Sequence, residues 1–165
     1  GTKLGNLTFG GSQEYDKRPG TQNTSGIIGF AKAIELLGQL EKRQKNADKI
    51  SLLRDKLIQQ VLKIENVVLN GPVGELRTAD NASFTIYDVD QDGLMTAPDI
   101  AGIAASTGSA CVSGSSKPSH VIESLRLASD RQAGVVRFTL SMYTKFAEIN
   151  YVIKTLAVII KKLRA

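Results

Sequence analysis

The chain has 165 residues, of which 42% are hydrophobic and 22% are charged, a composition that excludes a fibrous or disordered protein and fits one domain with or without part of another. The net charge of +5 permits an anionic partner, but with only 5% aromatic residues the chain lacks the stacking side chains that favour nucleic-acid binding. The single cysteine excludes an internal disulfide and a multi-cysteine zinc site, and it favours a reducing, cytoplasmic setting.

The first predicted helix follows a glycine-rich segment, residues 1–23, that is typical of a loop. Thr24 is predicted to be its N-cap, because a threonine hydroxyl can accept a hydrogen bond from a free N–H of the first turn. Apolar residues then recur at helical spacing, at Ile27, Ala31, Ile34 and Leu37.

A second periodic set predicts a helix over residues 50–64, and together the two would form one long interdomain helix. Gly38 is a predicted break in it, since glycine weakens a helix interior by about 1 kcal/mol. We place a domain boundary there, which separates residues 1–37 from residues 38–165. The charged stretch Glu41–Lys56 predicts a solvated helix face.

The rest of the chain mixes strands with helices. Strand-like runs are Val67–Leu69, Ser83–Asp88 and Val135–Leu140. Helices are predicted over Asp92–Ile103, which Pro98 limits or opens, over Pro118–Leu127 and over Lys145–Leu163. Without a regular strand–helix–strand repeat, this order predicts an α+β fold with a small antiparallel or mixed sheet packed with helices. The most apolar run, Tyr151–Ile160, is too short to span a bilayer, which argues against a membrane partner.

The segment 106–119, STGSACVSGSSKPS, consists almost wholly of small residues around Cys111. Such a composition predicts an exposed loop, and a thiol there can reach a ligand and leave again. From the residues alone, a reactive thiol and a cysteine that packs as a small hydrophobe are both open. For His120 we favour a surface or helix-capping role, so a Cys–His hydrolase pair and a protein-only metal site have little support.

Two further segments are suited to anions. The motif RPGTQN at 18–23 places an arginine, a glycine and the hydroxyl of Thr21 before a helix start, which suits a phosphate, although a plain turn before a capped helix is the commoner case. Arg137 alternates with apolar residues in a predicted strand and would share a face with Val135 and Thr139. It either faces solvent or aims its guanidinium at a carboxylate in a cleft, where we expect the guanidinium to be unpaired or to hold an anion.

Three motifs stand in order along the chain: RPGTQN at 18–23, STGSACVSGSSKPSHV at 106–121 and VVRFTLS at 135–141. Together they resemble the cysteine desulfurases of the NifS/IscS-like class, which are pyridoxal-phosphate enzymes of the class-V aminotransferase group with the fold-type I architecture. The resemblance corresponds to the C-terminal part of such an enzyme only, namely the end of the cofactor domain followed by the small domain.

The resemblance implies a role for each matching residue. Cys111 would be the thiolate that takes sulfur from L-cysteine and becomes a persulfide, with L-alanine as the product. Thr21 would hydrogen-bond the phosphate of pyridoxal phosphate, in this class usually that of the neighbouring subunit in a homodimer. Arg137 would bind the substrate carboxylate. The persulfide would then serve iron–sulfur cluster assembly through a scaffold protein, or thiolation.

The Schiff-base lysine of this class lies in a Ser-x-His-Lys motif, and the chain contains no such motif. We therefore expect the chain alone to fold without turning over cysteine. Two alternatives remain: a stand-alone persulfide carrier or interaction domain without cofactor, and a structural partner that completes an active site across a subunit boundary. Ser141 and Met142 stand where many relatives carry glycine and arginine, which leaves the sulfur acceptor open.

Overall fold

The structure, a computed structural model, describes residues 2, 5–106, 120–125 and 131–165. Its helices are α1 (Thr24–Leu37), α2 (Leu40–Val61), α3 (Gln91–Ile100), α4 (His120–Ser124) and α5 (Phe146–Leu163). Its strands are β1 (Val67–Leu69), β2 (Asn81–Tyr87) and β3 (Ala133–Thr139). The chain divides into two compact units, Gly1–Arg43 and Gln44–Ala165.

The first unit contains the N-terminal loop and α1. Asn23 is the N-cap of α1, because its Oδ1 accepts a hydrogen bond from the Gly26 N–H at 3.0 Å. The prediction that Thr24 is the cap is therefore wrong: the asparagine before it already supplies the acceptor, and Thr24 becomes the first helical residue. No residue of α1 is buried.

The predicted break at Gly38 is observed. Gly38 ends α1 with a φ of 74°, a conformation that glycine adopts without the steric cost of a Cβ, and α2 begins at Leu40. The expected long helix is therefore two helices of 14 and 22 residues. The domain boundary that we placed at this glycine stays a prediction.

The second unit is built on a three-stranded antiparallel sheet in the order β1-β2-β3, so β2 is central and β3 lies at one edge. The register pairs Val67 with Ile86 and Phe84 with Val136. With helices packed against this sheet, the unit has the α+β fold that the order of elements predicted.

β1 has its predicted bounds, whereas β2 and β3 each begin two residues and end one residue before the predicted positions. β2 begins at Asn81 and ends before Asp88, whose φ of 63° cannot continue an extended strand. β3 begins at Ala133 because it pairs with β2 as far as Tyr87. Gly134 lies within this added stretch, where a Cβ would stand 2.7 Å from Cδ2 of Leu94 in α3, so a larger residue would force this buried side chain to shift.

The core of the second unit lies between the sheet and helices α2, α3 and α5. Its fully buried side chains include Leu57, Val61, Phe84, Ile86, Val89, Leu94, Val136, Leu156 and Ile160. These positions include the periodic and alternating residues that predicted α2 and the strands. Pro98 is buried inside the last turn of α3, where its missing N–H removes one helical hydrogen bond, and the helix ends two residues later.

The charged stretch that predicted a solvated face of α2 is only partly solvated. Arg54 is 3% exposed, and its Nη1 donates to the Thr78 carbonyl oxygen at 2.7 Å. Its guanidinium also pairs with Asp55 at 2.7 Å. The prediction is wrong at Arg54 because the guanidinium finds an acceptor and a counter-charge within the fold, which together offset its desolvation.

Candidate functional site

Arg137 lies in the middle of the edge strand β3, opposite Ser83 of β2. Alternation along the strand buries Gly134, Val136 and Phe138 and leaves Arg137 half-buried on the other face. The predicted facing of this arginine is thus observed, and its backbone is held by pairing with the central strand.

The outer edge of β3, away from β2, is also occupied. At Val135 the side-chain amide of Gln91 takes the place of a neighbouring strand: the Val135 N–H donates to Oε1 at 2.8 Å, and Nε2 donates to the Val135 carbonyl at 3.1 Å. At Arg137 the backbone of Ser106 takes this place. The Ser106 N–H donates to the Arg137 carbonyl oxygen at 3.0 Å, and the Arg137 N–H donates to the Ser106 carbonyl oxygen at 2.6 Å. The strand that carries Arg137 is therefore fixed from both sides.

The guanidinium of Arg137 contacts the side chain of the same serine. Its Nη2 donates to the Ser106 hydroxyl oxygen at 3.3 Å. The expectation of an unpaired guanidinium is therefore wrong, although the partner is neutral. Within the part of the chain that the structure describes, the ion pairs are those of Lys32, Arg54 and Arg131, so the charge of Arg137 has no carboxylate partner there.

Other half-buried or buried arginines of the second unit have structural partners. Arg77 donates from Nε to the Pro72 carbonyl at 2.7 Å, and burial, followed by the nearby charge of Arg54, lowers the pKa of Arg77 from its usual value. Backbone carbonyls hold these guanidinium groups in place. Arg137 differs because its Nε and Nη1 donate no hydrogen bond to the described residues, which leaves donors for an anion.

Thr21 belongs to the first unit and lies in the exposed loop before α1. Gly20 has a φ of 95°, and Nη1 of Arg18 donates to the carbonyl oxygens of Gly20 at 2.8 Å and Thr21 at 3.0 Å. Arg18 thus closes its own loop, whereas the Thr21 hydroxyl has no hydrogen bond within the described residues. The predicted phosphate contact at Thr21 stays a prediction.

Cys111 lies outside the described residues, so its predicted exposure and reactivity stay predictions. Ser106 is the last described residue before that segment, and His120, the first residue of α4, follows it. The role that we favoured for His120 also stays a prediction.

An open pocket of about 520 Å³ lies at the C-terminal end of β3. Arg137 is not among the residues that line this pocket. It is lined by Leu57, Gly102, Ile103, Ala104, Phe138, Thr139, Leu140, Thr144, Ala147, Glu148, Ile149, Tyr151 and Val152. Its polar groups serve the fold: the Glu148 carboxylate accepts from the Lys145 N–H at 2.7 Å, and the Tyr151 hydroxyl donates to the Ala101 carbonyl at 2.8 Å. The pocket therefore offers mainly apolar surface.

Neither a metal site nor a membrane span is found in the described ranges. No three His, Cys, Asp or Glu side chains among the described residues are grouped so that they could hold a metal ion. None of the helices described is both long and apolar enough to cross a bilayer.

The sequence does not predict the contacts of Ser106 and Gln91 with β3. The serine is 31 positions from Arg137, and the glutamine is 44 positions from Val135. Periodicity reports neighbours along one element, so nothing in the sequence pointed to either pairing.

Comparison with known proteins gives consistent results. Residues 7–152 match the protein-family model described as Aminotransferase class-V. The chain is 42% identical over 165 residues to a protein named Cysteine desulfurase IscS from Dictyoglomus turgidum and 37% identical to one named Cysteine desulfurase from Bradyrhizobium diazoefficiens. These alignments cover 99% and 100% of this chain but 41% of each relative.

Solved structures give the same picture of the fold. A structure titled NifS-like protein superposes with a TM-score of 0.82 and 26% identity, covering 99% of this chain and 40% of that one. A NifS-like protein from Rickettsia africae superposes with a TM-score of 0.76 at 24% identity, covering 97% of this chain and 41% of that one. The chain thus spans about two fifths of the length of the proteins it matches.

Proposed function

The chain belongs to the class-V aminotransferase family, and from that membership we propose that it forms the C-terminal part of a pyridoxal-phosphate-dependent cysteine desulfurase. The observation that carries the proposal is that relatives named cysteine desulfurase align over 99–100% of this chain. The segment GSAC at 108–111 agrees with it, because a desulfurase needs a thiol on a segment that meets both substrate and acceptor.

The proposed reaction balances without an external oxidant. L-cysteine and the thiol of Cys111 give L-alanine and a Cys111 persulfide: the carbon–sulfur bond of the substrate breaks, a sulfur–sulfur bond forms, and a proton takes the place of the sulfur on carbon. The nucleophile is the thiolate, as in other sulfur-transfer chemistry.

Pyridoxal phosphate is the cofactor that the family implies, and this chain fits one part of its site. The exposed hydroxyl of Thr21, without a partner among the described residues, is suited to one phosphate oxygen. The Ser-x-His-Lys motif is missing, so the lysine anchor would come from residues other than these. When bound, the cofactor supplies an electron sink that weakens the carbon–sulfur bond of the substrate.

Arg137 is proposed to bind the substrate carboxylate. Its donors at Nε and Nη1 make no hydrogen bond to the described residues, and a guanidinium matches a carboxylate with two parallel N–H···O bonds. Because β3 is paired on both edges, the Cα of Arg137 is held in place while the side chain carries out the recognition.

Cys111 is proposed to receive the sulfur. Cys111 follows Ser106, which pairs with Arg137, by five positions, so covalent geometry limits the distance between the Cα atoms of the serine and the cysteine to about 18 Å. The same segment can therefore meet a substrate held at Arg137.

We further propose a homodimer, an iron–sulfur scaffold as the sulfur acceptor, and a cytoplasmic setting, which the single thiol favours.

The test compares the chain alone with the chain joined to an upstream cofactor domain. Each preparation is incubated with pyridoxal phosphate and L-cysteine, alanine is assayed, and Cys111 is examined by mass spectrometry for one added sulfur atom. We expect both products from the joined protein and neither from the chain alone. A Cys111→Ser variant of the joined protein should give no persulfide and is the matched control.

Two results would overturn the proposal. Alanine formed by the chain alone would show that these residues already hold a complete active site. A joined protein that forms no alanine, yet keeps sulfur on Cys111 when given a persulfide donor, would favour the stand-alone carrier instead.

A further inference from the structure

We propose that Ser106 is a positioning residue, which holds the guanidinium of Arg137 in the orientation that receives the substrate carboxylate. The inference rests on the proposed function, because it assigns a role to Arg137 in substrate binding. It concerns the contacts between Ser106 and Arg137 in the structure, and it goes beyond the roles that family resemblance gives to Cys111, Thr21 and Arg137.

The backbone geometry places the two side chains on one face. Ser106 and Arg137 exchange both backbone hydrogen bonds, as directly opposed residues do in a hydrogen-bonded pair of antiparallel strands. Side chains of such a pair project to the same side of the sheet. The serine hydroxyl therefore lies beside the arginine side chain as a result of main-chain pairing.

The side-chain contact restrains the arginine without neutralising it. The Ser106 hydroxyl oxygen accepts one N–H of Nη2 at 3.3 Å. A guanidinium carries five N–H donors, so four remain for a ligand, and the positive charge is kept because serine is neutral. A carboxylate in place of the serine would compete directly with the substrate.

Restraint matters because arginine has many rotamers. An immobilised long side chain loses conformational entropy when a ligand binds, and a bond that already holds it reduces that loss. The effect should therefore appear in the affinity for the carboxylate-bearing substrate and not in the chemical step. This expectation separates a positioning residue from one that merely stabilises the fold.

Gln91 provides a matched control on the same strand edge. Its amide makes two hydrogen bonds to the backbone of Val135 and none to Arg137. Gln91→Ala should thus weaken the edge of β3 at least as much as Ser106→Ala, which leaves the main-chain bonds of Ser106 in place. A general loosening of β3 would change the mobility of the Arg137 side chain in both variants. Loss of positioning would change it in Ser106→Ala only.

The first experiment measures the arginine directly in this chain, without cofactor or substrate. Side-chain ¹⁵N relaxation of the Arg137 Nε–H group, assigned with Arg137→Lys, reports its order parameter. We expect Ser106→Ala to lower it into the flexible range, below about 0.6. Gln91→Ala and Ser106→Thr, which keeps a hydroxyl, should leave it near the wild-type value. An unchanged order parameter in Ser106→Ala would overturn the proposal.

The second experiment measures KM and kcat for L-cysteine in the chain joined to its cofactor domain. Ser106→Ala should raise KM about threefold to tenfold and leave kcat within about twofold. In a protein that already carries Arg137→Ala, Ser106→Ala should alter KM by less than about 1.5-fold, because the serine acts through the arginine. An equal rise in both backgrounds, or a fall in kcat alone, would overturn the proposal.

The proposal stays testable if one variant misfolds and also if the proposed function is wrong. If Ser106→Ala is poorly folded, Ser106→Thr and Ser106→Val replace it, since they share a shape and differ in the hydroxyl. If the joined protein shows no turnover, the proposed function fails, and the order parameters still decide whether Ser106 holds Arg137.

Discussion

Replacing Arg164 with alanine should remove a clamp between the C-terminal helix and the sheet. The guanidinium donates to the Tyr87 carbonyl from Nη2 at 2.8 Å and from Nε at 3.1 Å, and to the Glu65 carbonyl from Nη1 at 2.9 Å. A longer bond of 3.4 Å reaches the carbonyl of Asn66. One side chain thus joins the end of α5 to the end of β2 and to the residues just before β1.

The magnitude follows from the number and the exposure of these bonds. A hydrogen bond with a charged donor contributes about 1.5–3 kcal/mol when buried, and less where water can replace it. Arg164 is half-buried and the carbonyls can be rehydrated, so we expect Arg164→Ala to lower the free energy of unfolding by about 2–3 kcal/mol. For a chain of this length that corresponds to a fall in Tm of roughly 4–12 °C.

The assay is urea denaturation of the chain, followed by circular dichroism and by amide hydrogen exchange in β2. Lys162→Ala removes a charge from the same end of α5 without a clamp and should cost less than about 0.5 kcal/mol. Arg164→Lys should lose most of the effect of the clamp, because an ammonium cannot span several carbonyls. If Arg164→Ala costs no more than Lys162→Ala, the clamp does not stabilise the fold.

Three other substitutions have defined expectations. Arg137→Ala in the joined enzyme should weaken substrate binding by about 2–5 kcal/mol, measured as a rise in KM for L-cysteine, and an unchanged KM and efficiency would contradict the assignment. Asn23→Ala should destabilise α1 by about 0.5–2 kcal/mol, as measured by amide hydrogen exchange, because the helix loses its N-cap. An equal destabilisation of α1 by Thr24→Ala would show that the two residues share the capping role. Leu156→Ala should cost about 2–5 kcal/mol in urea, since the side chain is fully buried, and a cost below about 1 kcal/mol would mean that the core collapses around the cavity.

The fold could be predicted where the sequence pattern involves residues close together in the chain. Alternation in β3 correctly placed Arg137 on the face opposite the core, because a strand repeats every two residues. Periodic apolar residues correctly predicted the second half of α2, although the helix ends at Val61 and not at Ile64, and the break at Gly38 followed from the low helix propensity of glycine. These features depend on residues that are neighbours within one element.

The features that were missed depend on distant partners. Arg54 lies in a stretch whose charge pattern indicates solvent, and only the carbonyl of Thr78, supplied by another segment, makes its burial favourable. The end of β2 depends on the left-handed conformation of Asp88, whose carboxylate pairs with Arg131 some 43 positions away. In the candidate site, the motif around Arg137 suggested a ligand but gave no indication of the hydroxyl of Ser106 beside it.

The pairing along the outer edge of β3 has a consequence for self-association. An edge strand with free N–H and C=O groups is a template on which another chain can form a strand, the first step of many aggregates. At Val135 and Arg137 those groups are already taken by Gln91 and Ser106. A second molecule would have to displace both before it could add to this sheet, so the contacts that hold the arginine also keep β3 from recruiting a neighbour.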